Sequence, residues 1–326
     1  MRRIMNRLRS ERGATAVIVG ILLVPLTGGL AIALDVGALY VERGQLQNGA
    51  DAAALAIAQE CAEDGKCDSP AALAATFSDA NANDGAANNL APVFPNDHTV
   101  VVTTSTLEAS SGDSALHHPF ASLLGIDSTT VFASATAEWG APQASMVVLP
   151  LALSYCEFMA SGGGSVEKLL LIRYNTNVSC KGPDGHPIPG GFGWLNRPNR
   201  GCATFIDLAN GTADSEPGNS YPGACDSTLG GLKGTTVLVP IFDGSVNAKG
   251  VVKKYELWGF AAFTITGWKF AGGGYPQVST DPAAPKCSGS CRGIQGYFTE
   301  WVSLEDAGDV ELGGPNLGAA IVRLID

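Results

Sequence analysis

Basic side chains are scarce in most of this 326-residue chain. Only fifteen of its twenty Lys and Arg residues follow residue 12, against thirty of its thirty-one Asp and Glu residues. An acidic body repels phosphate backbones, so we do not expect nucleic acid among the partners. Charge of either sign is missing altogether from Gly13 to Leu34. The chain thus has a short basic start, an uncharged stretch and a large acidic remainder.

Motifs that would indicate catalysis are also missing. No G-x-S-x-G nucleophile elbow occurs, and the glycine-rich stretches 161–168 and 230–236 lack the spacing of a phosphate loop. Asp243, Ser245 and Asn247 resemble the D-x-S-x-S metal site of von Willebrand factor A domains, but Asn replaces the last Ser and Pro240 interrupts the strand. We interpret them as a turn at a strand end. No enzyme activity, cofactor, metal site or small-molecule substrate is predicted.

The uncharged stretch has three possible interpretations: a cleaved signal peptide, a buried helix or a membrane anchor. Its roughly 22 residues reach about 33 Å as a helix, enough to cross a hydrocarbon core of about 30 Å. Signal peptides have apolar regions of about 7 to 15 residues, although Ala31 to Ala33 could form a small-x-small cleavage site. The length predicts a retained transmembrane helix over residues 13–34, with the lipid bilayer as a partner.

Charge predicts the direction of that helix. Residues 1–12 contain five arginines against the single acidic residue Glu11. Basic flanks remain in the cytoplasm. We therefore predict a cell-membrane protein of single-pass topology, with residues 1–12 as a cytoplasmic tail and the body outside.

All eight cysteines follow the predicted span, and an even number in an exported body indicates disulfides. Cys61 and Cys67 enclose a short loop with turn residues, and Cys202 and Cys225 bracket an irregular segment, so these pairings are favoured. Three pairings remain open for the other four. A zinc site is disfavoured because the close pair 287/291 has no second pair to complete it. The four unassigned residues are Cys156, Cys180, Cys287 and Cys291.

Apolar spacing predicts that the helix continues beyond the span to about Gln59. Its stripe runs through Val36, Leu39, Leu46, Ala50, Ala53 and Ile57, and either covers its own domain or receives another subunit. A second helix over about 70–82, with Ser69 as cap, precedes predicted strands at 98–109 and 128–139 and a short helix at 118–126. Residues 35–139 thus form a helix-led α+β extracytoplasmic unit.

Residues 140–326 differ in composition from the preceding part and are rich in Gly and Pro. Their candidate strands lie at 145–156, 167–180, 235–244, 252–270, 294–304 and 318–325. Several short strands and no long helix predict a β-rich, disulfide-stapled extracytoplasmic domain. The fold class is therefore α+β: a long N-terminal transmembrane and amphipathic helix, a small α+β unit, then the β-rich domain.

Residues 12–58, "RGATAVIVGILLVPLTGGLAIALDVGALYVERGQLQNGADAAALAIA", carry a more specific pattern. An Arg-Gly pair, an apolar span, Asp-Val-Gly, Leu-Gln and Ala-Asp-Ala-Ala-Ala-Leu-Ala follow one another. This resembles the N-terminal module of the TadG-like proteins (TadE/TadG family) of Flp, or tight-adherence, pilus assembly. The resemblance implies anchoring through residues 13–34 and no catalytic residues. It also implies helix packing through Leu46, Gln47, Ala50, Asp51, Ala54 and Leu55.

One position departs from pilin-like subunits that are cut after such a glycine. Those subunits share a Glu at the fifth position after the cut. In this chain, with Ala14 as the first position after Gly13, the fifth position is Ile18. The resemblance therefore implies an unprocessed, noncatalytic, membrane-anchored component of a Flp/Tad-type pilus assembly or secretion system, with assembly proteins as partners. The alternative is a membrane-anchored extracytoplasmic adhesion or binding protein that acts through its β-rich domain.

Overall fold

The computed structural model describes most of the chain. The described residues are 2–64, 66–164, 168–174, 179–182, 184–197, 201–216, 222–248, 251–270, 278–300 and 310–325. They form two compact units: the first comprises residues 1–58, 67–137 and 324–326, and the second 59–66 and 138–323. The predicted fold class is confirmed, with a long apolar N-terminal helix, mixed helices and strands, and a β-rich, disulfide-bonded remainder.

The first helix, α1, runs from Arg2 to Asp64 without interruption and so ends later than the predicted Gln59. Its stretch from Thr15 is long and apolar enough to cross a membrane. Pro25 lies inside it without ending it. The hydroxyl of Thr27 donates to the carbonyl oxygens of Leu23 and Val24, at 2.8 and 3.0 Å.

The second helix, α2, spans Pro70–Asn81, close to its predicted range. Its N-cap is Ser69, as expected, but the serine side chain makes no capping hydrogen bond. Proline at the first turn is favourable there because its missing N–H would have had no helical partner.

The strands of the first unit follow its β-branched and alternating segments. In β3, Val100, Val102 and Thr104 are buried on one face, which is the period-2 pattern of a half-buried strand. The predicted short helix at 118–126 is reduced to a 3-10 turn over Ala121–Leu124, because Gly125 follows in the left-handed conformation. The strands are β1 Ala87–Asn89, β2 Val93–Asn96, β3 Thr99–Thr106, β4 Leu116–His117, β5 Ser128–Thr129 and β6 Phe132–Gly140.

The second unit is β-rich, and the two α-helices that the structure describes after residue 138 are short. The predicted strand at 145–156 divides at Pro150 and continues as a helix. The predicted strand at 167–180 appears as two strands, and the residues 175–178 between them lie outside the described part. The elements are β7 Pro142–Val147, β8 Leu151–Ser154, α3 Tyr155–Ala160, β9 Leu170–Arg173, β10 Ser179–Lys181, β11 Pro187–Pro189, β12 Phe192–Trp194, β13 Thr204–Asp207, β14 Thr212–Asp214, α4 Asp226–Leu232, β15 Thr236–Ala248, β16 Val251–Lys269, β17 Val278–Ser279, β18 Gly293–Thr299, β19 Val310–Leu312 and β20 Ile321–Ile325.

The largest sheet has eight strands in the order β12-β8-β15-β16-β18-β9, with β14 and β17 also paired to β16. The β15 and β16 strands form a long antiparallel pair, and β8 runs parallel to β15. A three-stranded sheet has the order β13-β7-β19. Another sheet has the order β1-β3-β6-β20, with β2 paired to β3.

Two hydrophobic cores lie on the two faces of the largest sheet. Val237, Val239 and Ile241 of β15 contribute to one core, while Leu238 and Phe242 contribute to the other. A strand buried on both faces has a continuous apolar sequence. Most of the described aromatic side chains of the second unit lie in these cores. The fully buried ones among them are Trp194, Phe260, Phe263 and Phe298.

The interpretation of Asp243 as part of a turn is wrong. The β15 strand continues through it to Ala248, with irregular register at Ile241/Phe242, Phe242/Gly244 and Val246/Asn247. These irregularities let the pairing with β16 continue past Gly244. Burial raises the pKa of the half-buried Asp243 carboxyl, and the negative charges of Asp184 and Glu256 contribute less.

Candidate assembly interface on the first helix

The surroundings of α1 change along its length. From Thr15 to Leu34 every described side chain is exposed except that of Ala31, which is half-buried. From Leu46 onward the helix has a buried face, which includes Ala50, Ala53 and Ile57. The same helix therefore has an uncovered apolar half and a half that packs within the chain.

The six packing residues implied by the resemblance all lie in the second half. Leu46, Ala50 and Ala54 are buried, and the other three are half-buried: Gln47, Asp51 and Leu55.

Two of these residues fix α1 to the sheet of the first unit. The amide of Gln47 donates to the Asp51 carboxylate at 2.8 Å and to the carbonyl oxygen of Ser134 at 3.1 Å. The Leu46 carbonyl accepts from the Thr104 hydroxyl at 3.0 Å. The Leu46 side chain clusters with Ala87 and Ala133. This part of the stripe therefore covers its own chain.

The N-terminal end of the expected stripe has a different environment. Val36 is exposed and Leu39 is only half-buried, so the stripe does not pack along its whole length. Tyr40 and Val41 are also exposed. These apolar and aromatic side chains lie just after the span and before the packed half of α1.

A groove of about 1010 Å³ lies beside this exposed segment, within the first unit. Its helical side is formed mostly by small and apolar residues, which suit close approach of a second helix. A Cβ added to Gly37 would have no heavy atom within 4 Å, so the groove is open at this point. It is lined by Ala33, Leu34, Gly37, Ala38, Val41, Glu42, Gln45, Asn83, Asp84, Glu108, Ala109, Ser110 and Leu116.

Three carboxylates give the far end of the groove an acidic character. Burial raises the pKa of Glu42, and the charges of Asp84 and Glu108 raise it further, against a lowering hydrogen bond from Thr106. Asp84 is held in place by the N–H groups of Ala86 and Ala109, at 3.2 and 2.9 Å. A cationic side chain on a partner would be attracted to this end.

Asp35, the first charged residue after the span, is buried. One of its carboxylate oxygens accepts hydrogen bonds from the backbone N–H groups of Phe120 and Ala121, at 3.2 and 2.6 Å. Sequence reasoning missed this contact. A carboxylate immediately after an uncharged span was a signal that it needed a partner, but its partners lie far along the chain.

The cysteines are all paired where the structure describes them, and none is free. Cys202 is bonded to Cys225, Cys156 to Cys180 and Cys287 to Cys291. Cys61 and Cys67 are also disulfide-bonded, and they are the two that remain. The pairings that the sequence left open are thus Cys156–Cys180 and Cys287–Cys291.

The polar residues considered for chemistry do not assemble. Within the described ranges no three His, Cys, Asp or Glu residues form a group that could hold a metal ion. His118 is buried, with its Nε2 atom 2.8 Å from the Thr129 hydroxyl. Exposed His186 lies 2.8 Å from the Asp184 carboxylate, an acid contact that sequence reasoning missed.

Comparison with known proteins gives one match. No curated protein and no solved structure matches the chain. Residues 13–60, which contain the apolar span and the packed half of α1 up to its last turn, match the model of the Tad family, described as "Putative Flp pilus-assembly TadE/G-like".

Proposed function

We propose that this protein is a noncatalytic, membrane-anchored component of a Flp/Tad-type pilus assembly or secretion system. The observation that carries the proposal is the division of α1. Its apolar half is exposed, its other half is packed into a folded unit, and the family match covers both halves. An exposed helix of this composition suits lipid rather than water.

The proposed topology follows from charge and from the cysteines. The basic residues 1–12 stay in the cytoplasm, residues 13–34 cross the membrane, and the parts 35–139 and 140–326 lie outside. Eight disulfide-bonded cysteines support an oxidising compartment for these parts.

The groove beside Gly37 is the proposed contact surface for another assembly protein. Its open floor admits a helix, and Glu42, Asp84 and Glu108 favour a partner with a basic residue near the outer membrane boundary. The exposed side chains of Val36 and Tyr40 extend the apolar surface at its side.

Membrane fractionation with protease treatment of intact spheroplasts tests the anchor and its direction. We expect the full chain in the membrane fraction, with the body digested and a fragment of about the size of the tail and span protected. A mature chain that is released to the medium and begins near residue 34 would overturn the proposal.

Substitution of Gly37 tests the groove. Gly37→Leu places a side chain in the groove, at a point where a Cβ has no heavy atom within 4 Å, and Gly44→Leu is the matched control because a Cβ there also has no neighbour within 4 Å and Gly44 does not line the groove. We expect Gly37→Leu to abolish pilus assembly at unchanged membrane abundance, and Gly44→Leu to preserve it. Normal pili in cells that lack the whole chain would refute the function, and normal pili with Gly37→Leu would refute the groove as its contact surface.

A further inference from the structure

One exposed apolar loop of the first unit has no place in the proposed function. Residues 119–126, "PFASLLGI", lie between His118 and Asp127 and contain no charged residue. Phe120, Leu123 and Ile126 are 41%, 86% and 54% exposed. We name residues 119–126 the apolar loop.

The base of the apolar loop is held in a defined position. The strands β4 and β5 pair below it, with Leu116 opposite Thr129 and His117 opposite Ser128. The 3-10 turn at Ala121–Leu124 gives the loop an ordered backbone, closed by hydrogen bonds from Gly125 N–H to Ser122 and from Ile126 N–H to Ala121. Its apolar side chains are therefore presented by a folded element.

Hydrogen bonds place this loop at the end of the span. Asp35 accepts from the backbone N–H groups of Phe120 and Ala121, and it directly follows the uncharged stretch that ends at Leu34. Residues four apart lie on one face of a helix. Ala31, four residues before Asp35 on this face, is half-buried, whereas residues 15–30 and 32–34 are exposed.

Two contacts of α1 also place the loop nearer to the span than the sheet. The Leu46 carbonyl meets Thr104, and Asp35 meets the loop. Leu46 and Asp35 are eleven positions apart on α1, which is roughly 16 Å along the helix axis at about 1.5 Å per residue. The apolar loop therefore lies closer to the end of the span than the sheet does, and it exposes large apolar side chains at that level.

We propose that the apolar loop inserts into the interface of the outer membrane leaflet beside α1, with lipid as its occupant. The inference rests on the membrane span of the proposed function. The transfer of apolar side chains from water to the acyl boundary lowers the free energy. Aromatic rings favour the level of the lipid headgroups. The Asp35 carboxylate accepts hydrogen bonds from two N–H donors, which lowers the cost of placing it at this depth.

Insertion gives the protein a second membrane contact. A single helix rotates freely about its own axis in a bilayer, whereas a helix with a loop attached at one side has a preferred orientation to the membrane plane. The groove beside Gly37 would then be presented at a fixed height above the lipid. The loop is in this sense a positioning element for the proposed contact surface.

Depth-dependent fluorescence quenching tests the inference on the full chain in phosphatidylcholine vesicles. Because no free cysteine is present among the described residues, a single introduced thiol can carry a polarity-sensitive nitrobenzoxadiazole probe. Leu123→Cys and Ile126→Cys report on the loop. Leu22→Cys reports on the span, and Val93→Cys, on the exposed strand β2 of the same unit, is the matched control.

We expect probes at residues 123 and 126 to show blue-shifted emission and strong quenching by lipids with a nitroxide near the headgroup. The probe at residue 22 should be quenched by deeper nitroxides, and the probe at residue 93 should stay unquenched. If residue 22 is quenched while residues 123 and 126 behave like residue 93, the loop proposal is overturned and the span stands. An unquenched residue 22 would overturn both. Blue-shifted but unquenched loop probes would show that protein, and not lipid, covers the loop, which would refute the proposal. Equal quenching of the probes at residues 93 and 123 would refute it as well.

Discussion

Removal of the Asp35 carboxylate should release the apolar loop from α1. Asp35→Ala deletes the acceptor of two backbone hydrogen bonds, one of 2.6 Å to Ala121 and one of 3.2 Å to Phe120. A hydrogen bond to a charged group contributes about 1.5–3 kcal/mol, and a partly buried donor that loses its partner regains some hydration. The shorter bond should dominate, so we expect the free energy of local opening at the loop to fall by about 2–4 kcal/mol.

Amide hydrogen exchange on the reconstituted full chain measures this loss directly. Since about 1.4 kcal/mol corresponds to a factor of ten, exchange at residues 120 and 121 should accelerate by about 30-fold or more. Asp35→Asn keeps one carbonyl oxygen and should show a smaller acceleration, because neutral hydrogen bonds are weaker.

Asp79→Ala is the matched control for the same unit. Its carboxylate accepts from the Ala87 N–H at 2.9 Å, so its removal should accelerate exchange at residue 87 and leave residues 120 and 121 unchanged. If Asp35→Ala leaves exchange at residues 120 and 121 at the level of the unsubstituted chain, the reasoning that this carboxylate holds the loop is wrong.

Three further predictions concern the second unit. Two hydrogen bonds from Arg197 lower the pKa of Glu216, so their stabilising effect is present above the usual pKa of 4.5 and is lost as pH falls through the lowered pKa. In Glu216→Gln, the midpoint of urea unfolding should therefore fall less steeply at acid pH. An unchanged dependence of that midpoint on pH would contradict this. Gly296→Ala would place a Cβ 2.1 Å from the Thr264 carbonyl oxygen and should lower the free energy of unfolding by about 3 kcal/mol in urea titrations, whereas Gly230→Ala, with no atom within 4 Å, should not lower it; equal stabilities would argue against the packing. Replacement of both cysteines by Ser should cost about 3.5 kcal/mol for the pair 156/180 and about 2 kcal/mol for the pair 287/291, because the first closes a loop over 24 residues and the second over 4; calorimetry in matched buffers that ranks them in the reverse order would refute the loop-length argument.

Local patterns in the sequence were sufficient for several elements. The absence of charge from Gly13 to Leu34 predicts the apolar helix, and Ser69-Pro70 predicts the start of α2. The β-branched run around Val100 predicts β3 because alternation alone specifies a half-buried strand. These signals depend on neighbours within a few residues.

Contacts between distant residues were not predictable in this way. Nothing near Asp35 indicates that Phe120 and Ala121 will supply its donors, and nothing near His118 indicates that Thr129 will be its hydrogen-bond partner. The residues around Asp243 contain turn formers, yet pairing with β16 keeps them in a strand. In each case tertiary packing outweighs the local preference.

The pairing of β20 with β6 has a consequence for the order in which the protein is completed. β6 ends at Gly140 and its neighbour in the sheet begins only at Ile321. During synthesis, one edge of β6 stays unpaired until almost all of the second unit has followed it, and an unpaired strand edge is a template for foreign strands. Synthesis of this chain therefore has an interval in which β6 is open to wrong pairing, and its length is set by how quickly residues 141–320 emerge from the ribosome.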